Sequence, residues 1–183
     1  MNIKLERIQT ADHPYFALLF DLYRDSFPVE ERRELPSLLT KFSEKSMCFS
    51  AIWCESELVG LLVYWVFGDF LYVEHLAIFP RKRGGGLGSN VLKILQEQGV
   101  PVLLEVEIPH DEPSLQRVAF YNRSGFRALH VEYFQPPYLE GESLLPMTLF
   151  SDHSEWETET LRNAIELFHR KVYNSPMKGN GQS

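Results

Sequence analysis

The sequence predicts a single mixed α/β domain (an α+β architecture) built on a mainly antiparallel sheet, with an extra helix at its C-terminal end. Three observations point there. Three β-rich runs, residues 48–54, 58–66 and 70–79, follow one another with only the short links 55–57 and 67–69 between them, the pattern of an antiparallel meander. Segments of helical periodicity stand before and after these runs. The chain has 183 residues, 44% hydrophobic and 13% aromatic, which suits one domain burying roughly two thirds of its unfolded surface.

Taken in order, Ile3, Leu5 and Ile8 sit among polar residues and suit a first strand. Residues 14–27 read as a helix with Phe16, Leu19, Phe20 and Tyr23 on its apolar face, Asp12 as N-cap and Pro14 in its first turn. A second helical stretch, 30–42, is interrupted near Pro36. After the meander comes a helix over 87–98, ended by Gly99 and prevented from continuing by Pro101. A strand over 102–108 and a helix over 113–124, with Gly125 at C′, lead to closing strands over 126–134 and 144–150. The final helix, 155–173, carries Ser154 and Glu157 at capping-box spacing. Its apolar stripe, Leu161, Ile165, Phe168 and Val172, predicts packing on the body. The expected division is a domain over 1–150, the C-terminal helix over 154–174 on that same domain, and a disordered tail over 175–183.

Charge and cysteine usage narrow the function. A net charge of −7 argues against a nucleic-acid binder and leaves room for a cationic small molecule or a basic peptide. Cys48 and Cys54 share one predicted strand, roughly 20 Å apart, which excludes a disulfide between them and points to a reducing compartment. Charges at Lys4, Glu6 and Arg7 replace the apolar block of a signal peptide, and no run reaches the roughly 18 apolar residues of a membrane span. The expectation is a cytoplasmic protein without membrane or nucleic-acid partners; a homodimer is left open.

The most informative stretch is Leu76-Ala77-Ile78-Phe79-Pro80-Arg81-Lys82-Arg83-Gly84-Gly85-Gly86-Leu87-Gly88-Ser89. A strand ends, three cations and four glycines follow, and a helix begins. Glycine lets successive backbone N–H groups converge on an anion, and the helix N-terminus adds unsatisfied N–H groups with a partial positive charge. The loop therefore suits a pyrophosphate. A P-loop is excluded because Gly88 is followed by Ser89-Asn90 rather than by Lys, and a dinucleotide fingerprint lacks its third glycine.

The spacing resembles the acetyl-CoA signature of the GNAT superfamily of N-acetyltransferases, with Ile78, Pro80, Arg83, Gly86 and Gly88 at its specified positions. A second block of that superfamily is matched by Phe120-Tyr121-Asn122-Arg123-Ser124-Gly125-Phe126, and the resemblance spans about residues 3–150. The resemblance implies that the strand before the loop splays from its neighbour to admit the pantetheine arm of acetyl-CoA. Backbone groups of Leu76, Ala77 and Ile78 would hold pantetheine and acetyl, and Arg83, Gly84, Gly85, Gly86, Leu87, Gly88 and Ser89 the pyrophosphate. Tyr121 would protonate the departing thiolate. Ser114 stands where the superfamily often has a cofactor-contacting Asn.

An amine acceptor, mostly protonated at neutral pH, needs a proton acceptor. Glu74 and Glu105, charges inside apolar strands, are the candidates, with Glu74 slightly favoured because it precedes the residues expected to hold the acetyl group. Glu74 is expected on the strand face of Tyr72, Leu76 and Ile78; Glu105 sits in a Leu104-Glu105-Val106 triplet that resembles protein-N-terminal acetyltransferases. Glu107 and His75 are weaker candidates. Asp25, Glu30, Glu31 and Glu34 suggest an acidic rim, but Arg24, Arg32 and Arg33 among them favour a solvated charged face. His110-Asp111-Glu112 lacks a second ligand cluster, so no metal is expected. The resemblance thus implies direct attack of an amine on acetyl-CoA; the other reading is a non-catalytic acetyl-CoA-binding module.

Overall fold

The computed structural model describes residues 1–139 and 141–174. Its centre is an eight-stranded sheet in the order β1-β2-β3-β4-β5-β8-β6, with β7 also pairing β8. The expected meander is present as β2 (Met47–Cys54), β3 (Glu57–Val66) and β4 (Leu71–Ile78), with β1 (Ile3–Ile8) antiparallel on the outer edge of β2. β5 (Val102–Glu107) runs parallel to β4, and β8 (Leu145–Ser151) returns antiparallel to β5.

Both faces are covered, which is why β2 is buried over Met47–Ile52 instead of alternating. On one face α1 (Phe16–Ser26), α2 (Leu35–Lys41) and α5 (Thr158–Val172) surround Leu19, Tyr23, Leu38, Trp65, Tyr72 and Phe168. On the other, α3 (Leu87–Gln96) and α4 (Glu112–Arg123) lie over Leu71, Val73, Val106, Phe126 and Phe150. The α5 stripe packs as its spacing predicts: Ile165, Phe168 and Val172 are core, Leu161 borders it, and Phe168 stacks on Tyr72 at 4.5 Å.

Several local expectations are corrected. Asp12 does not cap α1; the N-cap is Tyr15, and no side chain caps that end. Pro36 does not interrupt a helix but opens one: a 3-10 turn, Val29–Glu31, precedes extended residues and α2, whose first turn accepts proline because its N–H needs no partner there. The expected strand over 126–134 is two short pieces, β6 (Arg127–Ala128) and β7 (Tyr133–Gln135), both lying along β8 with a detour between them. Glu157, not Ser154, is the N-cap of α5, and no capping box forms there. The expected tail over 175–183 lies outside the described residues. Cys48 and Cys54 are both free, and no helix among the described residues is long and apolar enough to cross a membrane.

Candidate active site

β4 and β5 share only three residue pairs, Leu71↔Val102, Tyr72↔Leu103 and Val73↔Leu104, and then part. Beyond that fork the β5-facing edge of β4 has no strand partner, and a cleft of about 810 Å³ opens between the strands. Leu76, Ala77 and Ile78 line one wall, Glu105, Val106 and Glu107 the other, and Phe120 and Tyr121 of α4 close one side.

At the mouth stands the glycine-rich loop. Pro80–Lys82 forms a 3-10 turn, and the Arg83 Nε donates back to the Ile78 carbonyl at 2.9 Å, fixing the loop to the end of β4. Gly86 is the N-cap of α3 at φ 73°, a left-handed conformation that side chains resist, and its carbonyl accepts from the Asn90 amide at 2.9 Å. Gly88, in the first turn of α3, lies so close to α4 that a Cβ would sit 3.0 Å from the Phe120 ring. Arg83, Gly84, Gly86, Leu87, Gly88 and Ser89 all line the cleft, whereas Gly85 does not. The N-terminus of α3 thus faces the opening with its N–H groups free of any side-chain cap.

Glu74 and Glu105 are the first residues on each strand past the last shared pair, and each accepts from three donors, but only Glu74 is paired with a cation. Glu74 sits at a β-bulge: Val63 pairs His75 and Tyr64 pairs Val73, leaving Glu74 as the extra residue. The bulge reverses the alternation. Glu74 and His75 both face the α1–α5 side, while Leu76 and Ile78 pack toward α3, so the predicted shared face of Glu74, Leu76 and Ile78 does not exist. The Glu74 side chain is fully buried. It accepts from the Arg33 guanidinium, from Trp65 Nε1 at 2.7 Å and from the Tyr138 hydroxyl at 2.9 Å. Burial alone would push its carboxyl up, but the charges of Arg33 and His75 and the hydrogen bonds from Trp65 and Arg33 outweigh that and hold it below the ordinary carboxylate range.

Glu105 is half-buried, and among the described residues no cation pairs with it. Three tyrosines donate to it: Tyr72 at 2.7 Å and Tyr173 at 2.6 Å to Oε2, and Tyr133 to Oε1. Burial pushes this carboxyl up to about 7; the three hydroxyls pull it back, and the Glu74 charge adds to the rise. Glu105 therefore exchanges protons near neutrality, whereas Glu74 stays charged. Tyr121 is packed against Phe120, Phe126 and Phe150, and burial pushes its phenol up to about 12, so it is a protonated donor at neutral pH.

Of the other candidates, Ser114 lies outside the cleft. Its hydroxyl closes the capping box of α4 with Asp111, accepting from the His110 and Asp111 amides and donating to the Asp111 carboxylate at 2.6 Å. His75 is buried between Tyr23 and Phe27 with Nε2 2.7 Å from the Glu31 carbonyl, and burial lowers its affinity for a proton. Glu107 is paired with Arg117 at the wall of the cleft. Of Asp25, Glu30, Glu31 and Glu34 only Glu31 lines the cleft, and Arg33, read as part of a solvated charged face, is 2% exposed. Among the described residues, no group of His, Cys, Asp and Glu is arranged to hold a metal ion. Sequence reasoning missed Arg33, Tyr72, Tyr133, Tyr138 and Tyr173. None belongs to a local pattern; only their number as polar-tipped residues on apolar faces hints at a shared polar partner.

Residues 16–126 match the sequence profile of the Acetyltransferase (GNAT) family. The chain belongs to that family. A GNAT-family structure from Bacteroides thetaiotaomicron is similar over 94% of this chain and 99% of its own length, with 35% identity and a TM-score of 0.84. YjbC of Bacillus subtilis (strain 168), which carries an acetyltransferase name, is 28% identical over 111 residues, 59% of this chain and 56% of YjbC, so the match spans little more than half of that relative. A GNAT acetyltransferase from Elizabethkingia anophelis, solved with acetyl-CoA bound, shares the fold at 18% identity and a TM-score of 0.54, covering 85% of this chain and 99% of that one.

The pairing of Glu74 with Arg33 gives a direct prediction. Glu74→Gln leaves a buried guanidinium without its counter-charge and should cost about 3–5 kcal/mol of unfolding free energy in a denaturant titration. Glu74→Gln combined with Arg33→Met should recover much of that loss. A single variant as stable as the parent would show that the pair does not hold the fold.

Proposed function

We propose that the protein is an acetyl-CoA-dependent N-acetyltransferase that passes an acetyl group to a primary amine, on a small molecule or a peptide, by direct attack. The observation that carries this reading is the fork itself, where a carboxyl pushed upward by burial, a half-buried phenol and a free strand edge share one cleft with an anion-ready loop at its mouth. Residues 1–150 would form the catalytic domain, with the helix over 154–174 as part of the same unit, and two free thiols accord with work in the cytoplasm.

In this reading the amides from Arg83 to Ser89 hold the pyrophosphate of acetyl-CoA, and the backbone of Leu76, Ala77 and Ile78 holds the pantetheine arm and the acetyl group. The acceptor enters from the end lined by Phe27, Glu31 and Tyr138. Glu105, as carboxylate, takes the proton that the ammonium must lose before its nitrogen can attack the thioester carbon. The carbonyl oxygen gains negative charge as the tetrahedral intermediate forms, and the unpartnered N–H groups of β4 stabilise it. Collapse breaks the carbon–sulfur bond, and Tyr121 gives its proton to the departing thiolate. Glu74 is held in its charged form by the Arg33 guanidinium, and its side chain is fully buried, so it is poorly disposed to take a proton from the amine. Its part is to hold the site together, and the base role passes to Glu105.

Three measurements test these assignments. Gly86→Val puts a branched side chain at a left-handed position in the mouth of the cleft and should abolish acetyl-CoA binding in calorimetry; unchanged binding would remove the cofactor assignment. With an acceptor drawn from a panel of polyamines, aminoglycosides, amino acids and peptides, turnover should fall as the pH drops through about 7, because a protonated Glu105 accepts nothing. Glu105→Gln should flatten that limb and lower kcat/KM by about 10²-fold, and an unaltered profile would return the base role to another group or to water. Tyr121→Phe keeps the ring but loses the donor, so kcat should drop about 10²-fold at an unchanged melting temperature; normal turnover would leave Tyr121 as packing alone.

A further inference from the structure

The C-terminal helix α5 begins 32 residues after the last one matched by the family profile (158 − 126 = 32), yet its end reaches the fork. The last turn of a helix presents carbonyls with no partner and a partial negative charge. Here two buried cations answer them. Arg33 Nη2 donates to the Val172 carbonyl at 2.5 Å, and Lys41 Nζ donates to the Lys171 carbonyl and to Asn174 Oδ1, both at 2.8 Å. Arg33 is the same guanidinium that neutralises Glu74. One side chain thus ties the bulge of β4 to the end of α5.

Tyr173 is the next residue, and its hydroxyl lies 2.6 Å from Glu105 Oε2 and 2.8 Å from the Tyr72 hydroxyl. One turn earlier, His169 Nε2 is 2.8 Å from the Tyr133 hydroxyl. Burial lowers His169 to about 4, so it is neutral; because the Tyr133 proton goes to Glu105 Oε1, the Tyr133 oxygen is left to accept from His169 in its Nε2–H tautomer. Both carboxylate oxygens are therefore oriented in part from α5.

We infer that Tyr173 is a positioning residue for acetyl transfer: delivered by the clamped end of α5, its hydroxyl holds the Glu105 carboxylate in its charged form and aimed at the cleft. The inference rests on Glu105 being the base. The groups that face Glu105 are Tyr72 and Glu74 from β4, Tyr133 from β7, Tyr138 beyond it, and Tyr173 at the C-cap of α5. Four are phenols whose protons are held firmly by burial, so none titrates near neutrality. Glu74 stays ionised, and Glu105 is the one group of this set that changes charge near pH 7.

The test needs no acceptor. In full-length protein carrying ¹³C-labelled glutamate, the Glu105 side-chain carboxyl is identified by the resonance that Glu105→Gln removes, and its midpoint is read by NMR titration. Tyr173→Phe removes a donor to the charged form and should raise the midpoint by about one pH unit. Placing 3-fluorotyrosine at 173, a stronger donor in the same ring, should lower it; this second variant serves if the first is poorly folded. Midpoints that stay put in both overturn the inference. An unaltered pH profile of turnover in Glu105→Gln would instead strike the base assignment, which the NMR midpoints do not touch.

Discussion

The constraint on which the rest depends is the short length of the one parallel ladder in the sheet. Every other strand pair is antiparallel, and β4 and β5 stay together for three residue pairs only. The bulge at Glu74 falls at the point where the ladder stops, and bulges increase local twist, while β5 stays paired along its other edge with β8. A sheet that parts in its middle leaves backbone donors and acceptors without partners inside the protein, a costly arrangement unless something else uses them. An extended, amide-bearing pantetheine arm is the kind of ligand that can take the place of the missing strand.

The fork also brings two carboxylates together. Glu74 and Glu105 would be the fourth pair of the ladder if it continued. Two like charges in such a setting are driven apart in their titration, and which one stays ionised is decided by the side chains around them. Arg33 settles this in favour of Glu74, and the negative charge so fixed helps to raise its neighbour. The division between a holding carboxylate and a proton-exchanging one is thus a property of the pair, brought about by one buried guanidinium that touches only the first.

Much of this was legible in the sequence wherever the deciding interactions are local. The glycines of the loop, its cations and the helix that follows are contiguous, so their combined use could be read from spacing alone. Glu74 and Glu105 stood out because each interrupts an apolar run. Their roles were not legible, because these depend on partners far along the chain: Arg33 lies 41 residues from Glu74, and Tyr173 lies 68 from Glu105. The mixed charges around Arg33 read as a solvated surface, since nothing near it reveals that two acceptors wait for it inside. The bulge was invisible for a related reason. Strict alternation places Glu74 with Leu76 and Ile78, and only the register with β3 shows that the alternation breaks. Ser114 went the other way: an Asx-type cap three residues from Asp111 is a local pattern, and it claims the hydroxyl at a position where the resemblance implied a cofactor contact.

What keeps the fork at its angle is then a question about side chains, because no backbone hydrogen bonds cross it beyond Val73 and Leu104. On the α3 side, the Gly88–Phe120 contact sets how closely α3 and α4 approach, and Leu76 packs against the same point. On the opposite side the ties are polar. Arg33 joins Glu74 to α5, Tyr138 joins the same carboxylate to the segment after β7, and Tyr72, Tyr133 and Tyr173 join Glu105 to β4, β7 and α5. Elements from both ends of the chain thus span a gap that the sheet leaves open. A purely apolar seam could resist separation, but it could not orient a carboxylate. Directional hydrogen bonds from rigid phenols do both, since each ring is packed in the core while its hydroxyl reaches the fork. The groups that hold the two strands at a fixed separation are the ones that orient the Glu105 carboxylate, so in the proposed mechanism rigidity and chemistry at this site are one set of contacts.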